Sequence, residues 1–145
     1  MTYNRIVNVG QTLGVILSIA GLFFPWGQLY YLGVYGIPGP DFLGIQLPIG
    51  QLTFHFCIFS AIFLILHRKR KLKHSLFLIF LCGLLTMFST LLWVIRPGIT
   101  MDTWYVYYRP LYGVYITLIG AALILESTCF SLYFMPSRQN APSAS

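Results

Sequence analysis

The stretch "HRKRKLKHSLFLIFLCGLLTMFSTLLWVI", residues 67–95, decides the architecture. Five basic residues, Arg68, Lys69, Arg70, Lys71 and Lys73, crowd its first eight positions. The 21 residues that follow carry no charge. A helix rises 1.5 Å per residue, so about 20 apolar residues cross the ~30 Å hydrocarbon core of a bilayer. Buried in lipid, a backbone has no water to bond, and a helix satisfies all its polar groups within one segment. The run is continuous rather than alternating, which excludes a barrel strand. Residues 75–95 therefore predict a transmembrane helix with a basic cluster at its start.

Three further apolar segments flank it. They are residues 6–24, "IVNVGQTLGVILSIAGLFF"; residues 50–66, "GQLTFHFCIFSAIFLIL"; and residues 111–134, "LYGVYITLIGAALILESTCFSLYF". The chain of 145 residues is 57% hydrophobic and 8% charged. Soluble domains carry about 25% charged residues, so this chain cannot clothe a soluble surface. The expected fold class is an all-α membrane protein, one four-transmembrane-helix bundle over residues 1–134. A short disordered tail, residues 135–145, follows. Arg5 ahead of an apolar run, with small residues at Ser18 and Ala20, has the outline of a cleavable leader. The run continues through Phe24, which predicts an uncleaved anchor.

The net charge of +6 would point to nucleic acid in a soluble protein. Here the clustered charge reads as topology. Basic loops stay in the cytoplasm, so residues 67–74 predict that both termini are cytoplasmic in a multi-pass plasma-membrane protein. Nucleic acid is not an expected partner. The same five basic side chains suit anionic lipid headgroups, at about 1 kcal/mol each near the surface.

Two spans carry small residues at helical spacing. Gly10, Gly14, Ser18 and Gly21 form one face of the first; Gly113, Thr117 and Gly120 form one face of the fourth. Small residues let membrane helices approach closely. These faces are expected to pack inward, against each other or as a homodimer seam. Two titratable groups lie within spans. His55 is a candidate proton-binding group near the outer end of the second. Glu126, about 12 Å from the end of the fourth, is either interfacial or an ion-handling group.

The first outer loop, "PWGQLYYLGVYGIPGPDFLGIQLPIG" at 25–50, has four prolines and six glycines but a single charge, Asp41. Its turn residues sit at 36–41, "GIPGPD". The expected structure is a short β-hairpin-like flap lying on the bilayer, with Trp26 at the interface. The other outer loop offers "WYVYY" at 104–108, which either adds a strand or packs as an aromatic lid. Trp26, Tyr30, Tyr31, Tyr35, Asp41, Trp104, Tyr105, Tyr107 and Tyr108 form a candidate interaction cap.

No motif for catalysis stands out. There is no HExxH, paired thiol, phosphate-binding glycine loop or haem motif. The expected topology separates His55 from His67 and His74, so they do not converge on a metal. The cysteines Cys57, Cys82 and Cys129 all lie in apolar runs and read as small hydrophobes. No cofactor, metal site or catalytic residue is expected.

The layout resembles that of small prokaryotic four-span membrane proteins of unknown function. The shared features are the Pro25-Trp26 pair after the first span, a glycine-rich first outer loop and the glycine-containing fourth span, "RPLYGVYITLIGAALIL". The resemblance covers the layout of most of the chain and implies no catalytic residues. In shape the chain is also similar to claudin-like four-span proteins, which set a tryptophan-containing first outer loop on a small sheet. The paired cysteines of that loop are missing here. The expected function is a non-catalytic accessory or interaction subunit whose partners are the bilayer and itself or another membrane protein. The alternative is a small oligomeric channel or transporter using polar residues in the spans. In a variant lacking native cysteines, a single cysteine at position 41 should react with an impermeant maleimide from outside the cell. One at position 71 should react only after the membrane is opened. The reverse pattern would invert the topology.

Overall fold

A computed structural model describes residues 2–31, 38–69, 74–95 and 106–134. The elements run α1 (Thr2–Leu22), β1 (Pro25–Tyr31), β2 (Pro38–Leu43), a 3-10 turn (Gly44–Gln46), α2 (Pro48–Arg68), α3 (Ser75–Ile95), β3 (Val106–Pro110) and α4 (Tyr112–Phe134). All four α-helices are long and apolar enough to cross a membrane. The chain is a multi-pass, membrane-embedded four-helix bundle.

The distribution of side chains supports this beyond the length of the helices. Ser18, Thr53, Ser60, Thr86, Thr90, Thr117 and Thr128 are buried, while Ile6, Val9, Ile16, Phe77, Phe88 and Ile119 are more than half exposed. A water-soluble bundle does the opposite. In lipid the outer face needs large apolar groups, and the inner face gains from small side chains and polar contacts.

The helix ends follow local chemistry. α2 begins two residues earlier than the apolar run, at Pro48, where a missing N–H costs nothing because first-turn N–H groups have no intrahelical partner. α1 stops at Leu22 rather than Phe24. The amides of Phe23 and Phe24 turn back to the carbonyls of Ala20 and Gly21 at 3.0 and 3.3 Å, tightening the last turn before Pro25.

The small faces of α1 and α4 meet each other within one chain, antiparallel. A Cβ added to Gly120 would stand 2.5 Å from the Ser18 nitrogen and 2.6 Å from the Gly14 carbonyl oxygen. One added to Gly113 would stand 2.7 Å from the carbonyl oxygens of Phe24 and Pro25. Backbone lies against backbone here, so no side chain can yield. Gly21 packs on Thr117 and Gly113, Gly14 on Gly120 and Ile124, and Gly10 on Ser127. The Gln11 amide donates to the Thr128 hydroxyl at 3.2 Å near the far end of the seam. The Ser18 and Thr117 hydroxyls reach each other's backbone carbonyls only at 3.5 Å, too long to contribute much. Close packing holds most of this seam, with the Gln11–Thr128 hydrogen bond at its far end.

Hydroxyls connect α2 to α3. Thr53 Oγ1 and Ser89 Oγ lie 2.8 Å apart, and Cys57 Sγ lies 3.9 Å from Thr86 Oγ1. At the basic-loop end, His67 Nδ1 and Ser75 Oγ are 2.8 Å apart. Adding one methyl at Gly120 must open the α1–α4 seam. Gly120→Ala should destabilise the protein by about 1–3 kcal/mol, read as a lower thermal midpoint in detergent. Ala122→Leu, on the exposed side of the same helix, should stay within about 0.5 kcal/mol of wild type.

Candidate functional site

At one end of the bundle the two long connections form a three-stranded antiparallel sheet in the order β2-β1-β3. Of the stretch 104–108, residues 106–108 lie in a third strand beside the expected hairpin. The register sets Gln28 opposite both Asp41 and Arg109, and Tyr30 opposite Tyr107. Residues 38–41 were expected to belong to the turn, but they lie inside β2. The reason is positional: β2 is an edge strand, where N–H groups on the open side make no ladder bond and proline can stand. Pro38 and Pro40 are tolerated there for that reason. Asp41 is exposed within this strand.

Trp26 is the main correction. A tryptophan after a membrane helix was expected at the lipid interface and in the cap. Instead it is fully buried, at 0% exposure, and does not contribute to the outer surface. The cause lies in the open end of α1. The last carbonyls of a helix have no intrahelical donor, and apolar surroundings make an unmet carbonyl costly. Trp26 Nε1 donates to the Gly21 carbonyl at 3.0 Å. Its own carbonyl then accepts the Trp93 indole N–H at 3.3 Å and the Leu111 amide at 2.9 Å. One residue therefore joins the end of α1, the end of α3, the start of α4 and the central strand. Gly44 completes the joint, since a Cβ there would lie 2.5 Å from Trp26 Nε1. Leu22, Leu47, Cys57, Trp93 and Val114 pack in the same cluster.

Of the other cap residues, the strands carry Tyr30, Tyr31, Tyr107 and Tyr108, whose side chains lie outside the described residues. Tyr35, Trp104 and Tyr105 lie outside them altogether, as do Arg70, Lys71, Lys73 and the tail at 135–145.

His55 and Glu126 are not brought together. Both face outward from the bundle. His55 donates from Nδ1 to the Gln51 carbonyl at 2.7 Å, one turn back on its own helix. Glu126 lies towards the opposite end. Its neighbour Ile124 packs on Gly83, eight residues or about 12 Å along α3 from Ser75. Glu126, two residues further on, is thus about 9 Å inside the end of α3, close to the edge of the membrane-spanning layer. Neither group lines a path through the bundle. Among the described residues no group of three or more His, Cys, Asp or Glu side chains is placed to hold a metal. Cys57, Cys82 and Cys129 are free.

Arg68 crosses from α2 to α1, where Nη2 donates to the Asn8 carbonyl at 3.0 Å and to the Thr12 hydroxyl. Lys69 is exposed beside it. The contact made by Arg68, and the inward turn of Trp26, were not visible in the linear sequence. The signal for Trp26 was the pairing of a tryptophan with a helix end, whose last carbonyls lack i+4 donors within the helix.

Compared with known proteins, the chain matches no family model, no curated protein and no solved structure.

The joint predicts an asymmetry between the two tryptophans. Trp26→Ala empties a buried site and removes the shorter of two hydrogen bonds to the Gly21 carbonyl, and should cost about 3–5 kcal/mol. Trp93→Phe keeps most of the ring volume and loses one long hydrogen bond, and should cost about 1 kcal/mol. Thermal unfolding in detergent, followed by circular dichroism, measures both.

Proposed function

We propose that this integral membrane protein acts without catalysis, by presenting its three-stranded sheet to another membrane protein or to a second copy of itself. The observation that carries this reading is the Trp26 joint. It fastens the sheet to the ends of three helices through hydrogen bonds of 2.9–3.3 Å. A surface held in one shape binds without first ordering itself, which spares the entropy that a loose loop would lose. In this reading the sheet lies outside the cell and the basic loop inside, as the positive-inside bias requires.

A channel or transporter is the competing reading. The positions of His55 and Glu126, outward and towards opposite ends, give it little support in a single copy. Several span hydroxyls are occupied in internal bonds. Thr90 donates to the Thr86 carbonyl at 2.6 Å. In the Thr53–Ser89 pair, 2.8 Å apart, one hydroxyl donates to the other, which donates to a carbonyl of its own helix, Ile49 at 2.7 Å or Thr86 at 3.0 Å.

Two measurements decide between them. A photo-crosslinking residue at position 41 should give a discrete protein adduct in native membranes, reduced at least about fivefold by Trp26→Ala in protein that still inserts. Reconstituted vesicles should show no proton or ion flux that depends on the protein. A flux abolished by Glu126→Gln or His55→Ala, with no adduct from position 41, would replace this reading with the transport one.

A further inference from the structure

At the end of the bundle opposite the sheet, α1 and α2 leave an open groove of about 670 Å³. Its lining divides by chemistry. Arg5 and Arg68 stand at the basic end, with Asn8 and Thr12 beside them. Val9, Leu13 and Ile16 continue it along α1 at helical spacing, 63%, 46% and 57% exposed. No acidic side chain lines it. The chain has three acids in all. Asp41 lies in the sheet, Asp102 outside the described residues and Glu126 on α4. The two guanidinium groups therefore have no carboxylate in the groove to balance them.

We infer that this groove binds an anionic glycerophospholipid, with the phosphate at Arg5 and Arg68 and one acyl chain along Val9, Leu13 and Ile16. The occupant follows from the division of the lining. A positive head and an apolar trough fit an amphiphile with a negative head. The location, beside a helix whose outer face already meets lipid, supplies such molecules directly. Arg68 is pre-positioned, because its Nη2 is held by the Asn8 carbonyl and the Thr12 hydroxyl. Guanidinium has five N–H donors, so the Nε hydrogen and the two Nη1 hydrogens remain for phosphate oxygens. The site is separate from the sheet and does not depend on the role proposed for it.

The test is lipid binding to the purified protein in neutral detergent, read by native mass spectrometry. Phosphatidylglycerol should bind at least about fivefold more tightly than phosphatidylcholine of the same chain length. Arg5→Gln and Arg68→Gln should each weaken phosphatidylglycerol binding about fivefold, the factor expected for one basic group near an anionic surface. Arg5 is exposed, so its replacement tests the site even if Arg68→Gln disturbs helix pairing. Leu13→Trp, which fills the trough, should weaken both lipids. Lys69→Gln, next to the groove but not in its lining, should have less than half the effect of Arg5→Gln. An equal loss from Lys69→Gln would show that the whole basic loop attracts lipid and would overturn the site. Displacement of the lipid by inorganic phosphate at matched concentration would assign the arginines to free phosphate and overturn the lipid. No preference between the two lipids would also overturn it.

Discussion

A tryptophan that caps a helix from beyond its end is the constraint on which this structure depends. α1 finishes with carbonyls that nothing in the helix can satisfy. Trp26 returns its indole N–H to Gly21 and offers its own carbonyl to Trp93 and Leu111. The same residue is the second position of the central strand. The path of the sheet is thereby tied to the helix ends instead of resting on loop length. A small sheet is marginal by itself in water, and this attachment supplies the support that such a sheet lacks.

Below the joint, the bundle is held by a different kind of force on each side. α1 and α4 meet backbone to backbone along glycines, where dispersion and shape dominate. α2 and α3 meet through hydroxyls, with Thr53, Ser89, Cys57 and Thr86 in one line of contacts. Neither seam rests mainly on large apolar side chains; many of these lie on the outer face, while Leu22, Ile79, Trp93 and Ile124 are buried. This accounts for a chain that is very hydrophobic overall yet has many buried serines and threonines. Because the glycine seam closes inside one chain, an interaction with a second copy has to use another surface. The sheet is a preformed surface at the end of the bundle, and Asp41 on its edge strand is exposed.

Much of the architecture could be read from sequence because it follows from length and composition. A run of 21 residues without charge can form little other than a spanning helix in lipid. The small-residue spacing on α1 and α4 was also visible, but its meaning was divided between an internal and an intermolecular seam. Distances between Gly120, Ser18 and Gly14 were needed to choose. The hairpin was legible from its turn residues, whereas the extent of β2 was not. Proline normally signals a break, and its tolerance on an edge strand depends on knowing which strand is at the edge. Trp26 was misplaced for a related reason. Composition places tryptophan at the interface on average, while the demand of one unsatisfied helix end moved this one inside. The lining of the α1–α2 groove depends on where Arg68 reaches, sixty residues from Asn8, and pattern reading has no access to that.

The central claim is that Trp26 links two parts that are otherwise separately held, the sheet and the glycine-packed helix pair. Hydrogen–deuterium exchange of the Trp26→Ala protein in micelles tests it most directly. The account predicts that the amides of residues 27–31 and of Leu111 exchange about a hundredfold faster than in wild type, the factor given by about 3 kcal/mol of lost local stability. Amides along the α1–α4 seam, from Gly14 to Leu22 and from Val114 to Ile124, should keep their protection. Unchanged protection in the sheet, or an equal loss along the seam, would contradict the account.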